Sequence, residues 1–545
     1  MLTGRMMDFP LTLTHFLDRA RTYFGQSEIV SRQPDRSLHR YTYADFSRRT
    51  RQLAEALTRL GVKPGDRVAS LCWNHSRHLE LYFAVPAMGA VLHTLNLRLH
   101  PNDLGYIARH AEDRFIVVDR SLLPLLEKFI GSVPGVAHII VVPDDGPVPE
   151  GRLDYERLLA AEPGAFVFPP LEERSAAMLC YTSGTTGNPK GVLYTHRSIV
   201  LHTLAECMAD TFGIAEADVV LPVVPMFHAA AWGMPFAAFF TGAKIVLPGP
   251  HLDPTSLLDL MAAERVTLAA GVPTIWLGIL ALLDQEPSRW DLKSVRGMLI
   301  GGSAAPLAMI EGFQNRHGLA VTHAWGMTEL QPVGTIARPR HPHQGKSPAE
   351  LFALRATQGY ALPFVEVRHV SDSGEVLPWD GTTMGELEVR GPWVASSYYG
   401  DEGADRFTPD GWFKTGDVVT LDAEGFVRIT DRAKDVIKSG GEWISSVALE
   451  NALMAHPAVL EAAVFAAKDT KWDERPLAAV VLKPGQSATR EQLAAHLETH
   501  FAKWWLPEDY VFLPQIPRTS TGKFLKTKLR EDHGDHLLKR TREAR

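Results

Sequence analysis

AAMLCYTSGTTGNPKG, residues 176–191, runs from an apolar stretch straight into a loop of glycine, hydroxyl groups and lysine. The apolar stretch fits a short buried strand, and the loop would then sit at its carboxyl end. Gly184 and Gly187 let the backbone turn and bring its N–H groups close together. Thr182, Ser183, Thr185 and Thr186 add hydroxyl donors, and Lys190 adds a positive charge. Such a loop is a phosphate cradle. It is not the Walker type, because Gly191 follows Lys190 where that motif needs Ser or Thr.

Outward from this loop the chain alternates strand and helix patterns. An amphipathic stretch at 43–60 leads to GDRVASLCW, a second helical stretch and VLHTLN, and downstream ERVTLAAGVP and VRGMLIGGSAAP each lead into a helix. Alternation of this kind predicts parallel α/β subdomains. From about residue 359 short strands with turn residues take over, as in MGELEVRGP and DAEGFVRITD, which predicts a mainly β part over 359–430. The charged, Gly-rich segment DRAKDVIKSGGEWISS follows, so a boundary is expected at 431–435, with a small α+β domain over 436–545.

Bulk properties narrow the class. A chain of 545 residues needs several cores. A formal charge of -7 gives no general attraction for nucleic acid. Cys72, Cys180 and Cys207 are odd in number and scattered, so neither a disulfide framework nor a metal-ligand spacing is present. The first residues carry Arg5 but no continuous apolar run, and a cytoplasmic location is expected. Residues 219–243 lack Asp, Glu, Lys and Arg, but Pro222, Pro225 and Pro235 interrupt them, so buried core rather than an integral membrane contact is expected.

Further motifs occur in order: PMFHAAAW (225–232), GGSAAP (301–306), HAWGMTE (323–329), FKTGD (413–417), DRAKDVIKSGGEWIS (431–445) and PRTSTGK (517–523). With YTSGTTGNPKG they make the chain resemble the adenylate-forming superfamily of acyl-CoA synthetases, luciferases and peptide-synthetase adenylation domains. That resemblance implies an α/β multidomain fold: a large N-terminal domain (1–430), a hinge (431–435) and a small mobile C-terminal domain. It also implies an enzyme that uses ATP and Mg²⁺ to form an acyl-adenylate and then an acyl-CoA thioester with coenzyme A. A homodimer is expected on the same ground.

The resemblance assigns roles by motif position. Lys523 would act in adenylation, with Thr182 and Glu329 the magnesium-linked pair, a hydroxyl and a carboxylate suited to a hard cation. Besides residues 182–187 and Lys190, the nucleotide would meet Gly302, His323, Ala324 and Thr328, with Asp417 at the ribose and Arg432, Lys434, Lys438 and Trp443 as further contacts. Lys434 would be the hinge residue. Gly440, Gly441 and Glu442 would form the loop on the CoA side. Ala231, Trp232, Trp325, Met327 and Pro332 would line the acyl pocket. His228 reads equally as a partner of the substrate carboxylate and as a hydrogen-bonded core histidine.

No charged group precedes Glu329 in this lining, which disfavours an amino acid substrate. The chain looks most like the fatty acyl-CoA synthetase branch and, within it, like ligases for 3-methylmercaptopropionate. Where the family commonly has tyrosine, this chain has Trp325, which either shortens the acyl pocket or packs in the core. A medium- or long-chain fatty acid ligase is the alternative reading, and a luciferase-like oxygenase the alternative of another class.

Overall fold

A computed structural model describes residues 2–182, 188–439, 442–518 and 524–543. Ser183, Gly184, Thr185, Thr186, Gly187, Gly440, Gly441 and Lys523 therefore lie outside the described residues, as does the side chain of Glu442. The chain divides into two units, Met1–Val365 with Gly391–Phe407, and Glu366–Arg390 with Thr408–Arg545.

The first unit holds two predominantly parallel sheets. One has seven strands, in the order Leu153–Asp154, His138–Val142, Phe115–Asp119, Arg67–Leu71, Val91–Thr94, Ala176–Tyr181, Gly191–Thr195. Only the last pair is antiparallel, and the candidate phosphate loop joins its two strands. The other sheet has nine strands, whose parallel middle includes Val321–Gly326, Gly297–Ile300, Leu268–Gly271 and Val219–Pro222. Val333–Ala337 and Tyr360–Ala361 extend it antiparallel. Tyr360–Ala361 thus belongs to this sheet, although it opens the stretch read as mainly β.

Local signals account for these elements. Helix Tyr43–Arg59 begins at a capping box between Thr42 and Asp45 and buries Phe46, Leu53 and Leu57 along one face. Helix Pro273–Gln285 has proline in its first turn, and helix Leu307–His317 stops at Gly318, where φ is 67°. Residues 219–243 form a buried strand, a short turn and helix Met234–Thr241. Among the described residues no helix is long and apolar enough to cross a membrane.

The second unit contains a four-stranded antiparallel sheet, Glu366–Val370, Gly385–Arg390, Phe413–Leu421 and Val427–Arg432. Its five-stranded sheet is built on the long hairpin of Val459–Asp469 and Asp473–Leu482. Ile437, Leu449, Leu453, Val464 and Leu497 fill one core of this unit, and Phe465, Leu477, Ile516 and Leu529 another. Residues 431–435 lie inside this unit, and its limits fall at 365/366, 390/391 and 407/408.

Candidate active site

The loop of residues 183–187 is closed at its stem by two hydrogen bonds. Thr182 N–H donates to the Lys190 carbonyl (2.9 Å), and Lys190 N–H donates to the Thr182 hydroxyl oxygen (3.3 Å). Strand pairing of Tyr181 with Gly191 continues this closure. The Lys190 ammonium lies 5.0 Å from the centre of the Tyr398 ring, a cation–π distance. Its partner tyrosine leads directly to the next group.

Tyr398 donates its hydroxyl to Glu329 Oε1 at 2.5 Å, and both residues are buried. Burial first, and the Glu329 charge second, push the Tyr398 phenol well above its ordinary range, so it stays a donor at neutral pH. The Glu329 carbonyl accepts from Ala395 N–H (2.8 Å), and Tyr194 donates to the Thr328 carbonyl (2.7 Å). A cavity of about 440 Å³ opens here, lined among others by Tyr194, Thr195, Glu329, Gln331, Trp393 and Tyr398. Of the sequence-derived site residues, only Glu329 is in that lining.

Gly302, His323, Ala324, Trp325, Met327 and Thr328 lie on or just beyond the strands Gly297–Ile300 and Val321–Gly326. A methyl group at Gly301 would lie 2.8 Å from the Ala324 carbonyl oxygen and 3.0 Å from the Trp232 ring. One at Gly302, where φ is 83°, would lie 3.4 Å from Val272. Glycine here is a requirement of close approach. His323 is buried and hydrogen-bonds the Thr357 carbonyl through Nδ1 at 2.7 Å. Burial lowers its pKa, so a neutral imidazole is expected. Met327 N–H donates to the Pro332 carbonyl (3.0 Å), which brings these two together.

Trp232 ends an unusual turn. Ala229, Ala230, Ala231 and Trp232 have φ of 39°, 48°, 52° and 55°, and Gly233 continues at 77°. Four consecutive non-glycine residues in the left-handed region are costly, at about 1–2 kcal/mol each, and the turn is buried throughout. His228, half-buried, precedes it with its N–H on the Pro225 carbonyl (3.1 Å). The Trp325 ring covers Gly334 on the neighbouring strand, where a methyl group would lie 2.8 Å from it. Trp325 therefore has a packing partner within the sheet.

The remaining residues belong to the second unit. Asp417 and Arg432 are paired across adjacent strands, with Arg432 Nε 2.7 Å from Asp417 Oδ1, and Asp417 is buried. Thr415 fixes the approach by accepting the Asp417 N–H (3.1 Å). Lys438 pairs in register with Trp443, holds its ammonium 5.0 Å from that ring and reaches Asp372 at 3.1 Å. Lys434 is exposed. Thr430 and Asp431 are tied to the start of helix Ser446–Ala455, where Ser445 donates to the Thr430 carbonyl and Ser446 N–H donates to Asp431 (2.6 Å).

Sequence reasoning missed Tyr398, Tyr194 and Trp393. The aromatic and polar run WVASSYYG at 393–400 was the available signal for two of them.

Residues 17–399 match the AMP-binding enzyme family, and residues 448–523 match the AMP-binding enzyme C-terminal domain. A long-chain-fatty-acid–CoA ligase of Thermus thermophilus is 50% identical over 97% of each chain. A 3-methylmercaptopropionyl-CoA ligase of Ruegeria lacuscaerulensis is 44% identical over 98% of this chain and 100% of that one. Among solved structures, an anthranilate CoA ligase in complex with anthranoyl-AMP superposes with a TM-score of 0.84 at 28% identity, covering 96% of this chain and 98% of that one. Two matched family segments, identities of this size and near-complete coverage place the chain in the AMP-binding enzyme family, as an AMP-forming acyl-CoA ligase.

Proposed function

We propose that the acid it activates is short to medium in length, with 3-methylmercaptopropionate as the leading substrate. The observation that carries this reading is Trp232, which is buried and lies over Gly301 and Gly302, where an acyl chain leaving the nucleotide site would run. A thioether sulfur beside an indole is a favourable contact, worth about 0.3–1.5 kcal/mol. The second reading, a long-chain fatty acid, is favoured by the 50% identity to the Thermus enzyme.

In this reading one carboxylate oxygen of the acid attacks the α-phosphorus of ATP and pyrophosphate leaves. The thiol sulfur of coenzyme A then attacks the acyl carbonyl and AMP leaves. The first step brings anions together, so Lys190 and Lys523 supply positive charge and the hydroxyls of Thr182, Ser183, Thr185 and Thr186 supply donors. Thr182 and Glu329 offer oxygen ligands only, a donor set that fits Mg²⁺, which when bound would neutralise phosphate charge. Asp417 accepts from the ribose hydroxyls, and His228 meets the acid carboxylate. Rotation about Lys434, within the hinge 431–435, exchanges Lys523 for the loop of Gly440, Gly441 and Glu442 before thioester formation. A homodimer and a cytoplasmic location belong to the same proposal.

The test is AMP release with ATP, magnesium and CoA for propionate, butyrate, 3-methylmercaptopropionate, octanoate and palmitate, in the wild type and in Trp232→Ala. The wild type should peak at the short acids, highest for the thioether, and Trp232→Ala should raise the octanoate-to-butyrate ratio of kcat/KM about tenfold or more. A wild-type maximum at palmitate would establish the long-chain reading instead.

A further inference from the structure

Beneath the turn that carries Trp232 lies a buried pair that the reaction described above does not use. His202 and Glu206 stand one helical turn apart on His196–Cys207, and both are essentially solvent-free, at 1% and 0% exposure. Both carboxyl oxygens of Glu206 lack a hydrogen-bond partner among the described residues. The charge-bearing atom closest to them in an ion-pair sense is His202 Nδ1, 3.8 Å from Oε1, which is beyond hydrogen-bond reach. Burial pushes the Glu206 carboxyl well above its usual range and the His202 imidazole down to about 3, so both are neutral at physiological pH.

The surroundings of the pair are specific. A methyl group on Gly233 would collide with Glu206 Oε2, and it would lie 2.8 Å from His202 Cε1. The two side chains therefore press directly on the residue after Trp232. On the opposite side His202 Nε2 accepts the Val333 N–H (3.2 Å), and Trp393 Nε1 donates to the Val333 carbonyl (3.1 Å). The Trp393 and His202 rings meet edge to face at 5.7 Å and 88°. Both backbone groups of the residue after Pro332 are thus held by this cluster.

A buried carboxyl without partners is a cost to the fold, and its replacement by an apolar group of similar volume is often neutral or stabilising. We propose that His202 and Glu206 are a positioning pair that spaces the Trp232–Gly233 turn from the Pro332–Val333 segment and so sets the length of acyl chain the pocket accepts. This rests on the reading that Trp232 and Pro332 line that pocket. The pair acts through Gly233 and Val333, and neither side chain touches the acid.

The experiment compares the octanoate-to-butyrate ratio of kcat/KM in the wild type, Glu206→Leu, Glu206→Gln and Trp232→Ala, with a thermal melt of each. The ratio is independent of how much enzyme is folded. Glu206→Leu should melt at or above the wild-type temperature and change the ratio at least fivefold. Glu206→Gln, which has the shape of the neutral acid, should stay within twofold. If Glu206→Leu does not fold, Glu206→Met takes its place with the same expectation. Ratios within twofold of wild type in Glu206→Leu or Glu206→Met, while Trp232→Ala shifts its own, overturn the positioning role and leave the pocket reading standing. An unchanged ratio in Trp232→Ala overturns the pocket reading and this proposal with it.

Discussion

Glu329 illustrates how a carboxylate is held ready inside a protein. Its place in HAWGMTE singled it out, but the residue that holds it, Tyr398, comes from 69 positions further along the chain. No local pattern links the two. Removing the Tyr398 hydroxyl leaves a buried carboxylate short of one donor at the position read as a metal partner. Tyr398→Phe should lower kcat/KM for the preferred acid by about 10–100-fold, the range for losing an outer partner of a metal ligand. Steady-state AMP release checks this, and a change under about twofold would show that the hydroxyl only packs. Thr182, Lys190, Asp417 and Arg432 could each be singled out from their motifs, but the contact of Asp417 with Arg432 across adjacent strands could not, because it depends on strand register rather than on short-range spacing.

At the scale of elements, short apolar runs alternating with helical patterns announced the parallel strands and their helices, since burial on both faces of a sheet leaves near-continuous Val, Ile and Leu runs. Two features escaped. Tyr360–Ala361 pairs by backbone with Val333–Ala337, which a two-residue strand cannot signal in its side chains. The turn at 229–232 was invisible because three alanines followed by tryptophan suggest an ordinary right-handed helix. In the second unit, helices Lys526–His533 and Ser446–Ala455 are joined by a buried ion pair, Lys526 Nζ to Glu450 Oε1 at 2.6 Å. Lys526→Ala strands the Glu450 charge and should cost this unit about 3–5 kcal/mol. The double variant Lys526→Met with Glu450→Gln, which keeps an acceptor for the buried Val464 N–H (2.7 Å), should recover part of that, as read by urea denaturation. Equal loss in both variants would assign the effect to packing alone.

For the whole molecule, acid sensitivity follows from its buried imidazoles. His78, between Ser70 Oγ (2.9 Å) and the Trp73 carbonyl (3.1 Å), is pushed from 6.5 down to about 3, chiefly by burial and then by His75. His196 is likewise lowered to about 4. The folded chain leaves these rings neutral while the unfolded chain protonates them below 6.5, so their contribution is present above that pH and is lost as pH falls toward 3. The stability difference between wild type and His78→Gln should therefore narrow by about 1.4 kcal/mol between about pH 7.5 and about pH 5.5. Denaturant titrations at the two pH values measure it, and a constant difference would place the His78 pKa near its free value. Such burial was not readable from sequence, where a histidine on an apolar helix face looks the same whether wet or dry. One consequence of the turn at Ala229–Trp232 reaches beyond any single contact. Built wholly from L-residues, it follows the mirror image of their preferred coil, and a D-alanine at position 230 would lie there at ease. Cut out as a peptide, the same sequence would leave that region for the right-handed and extended ones. Its chirality is thus a property that the rest of the fold imposes on it.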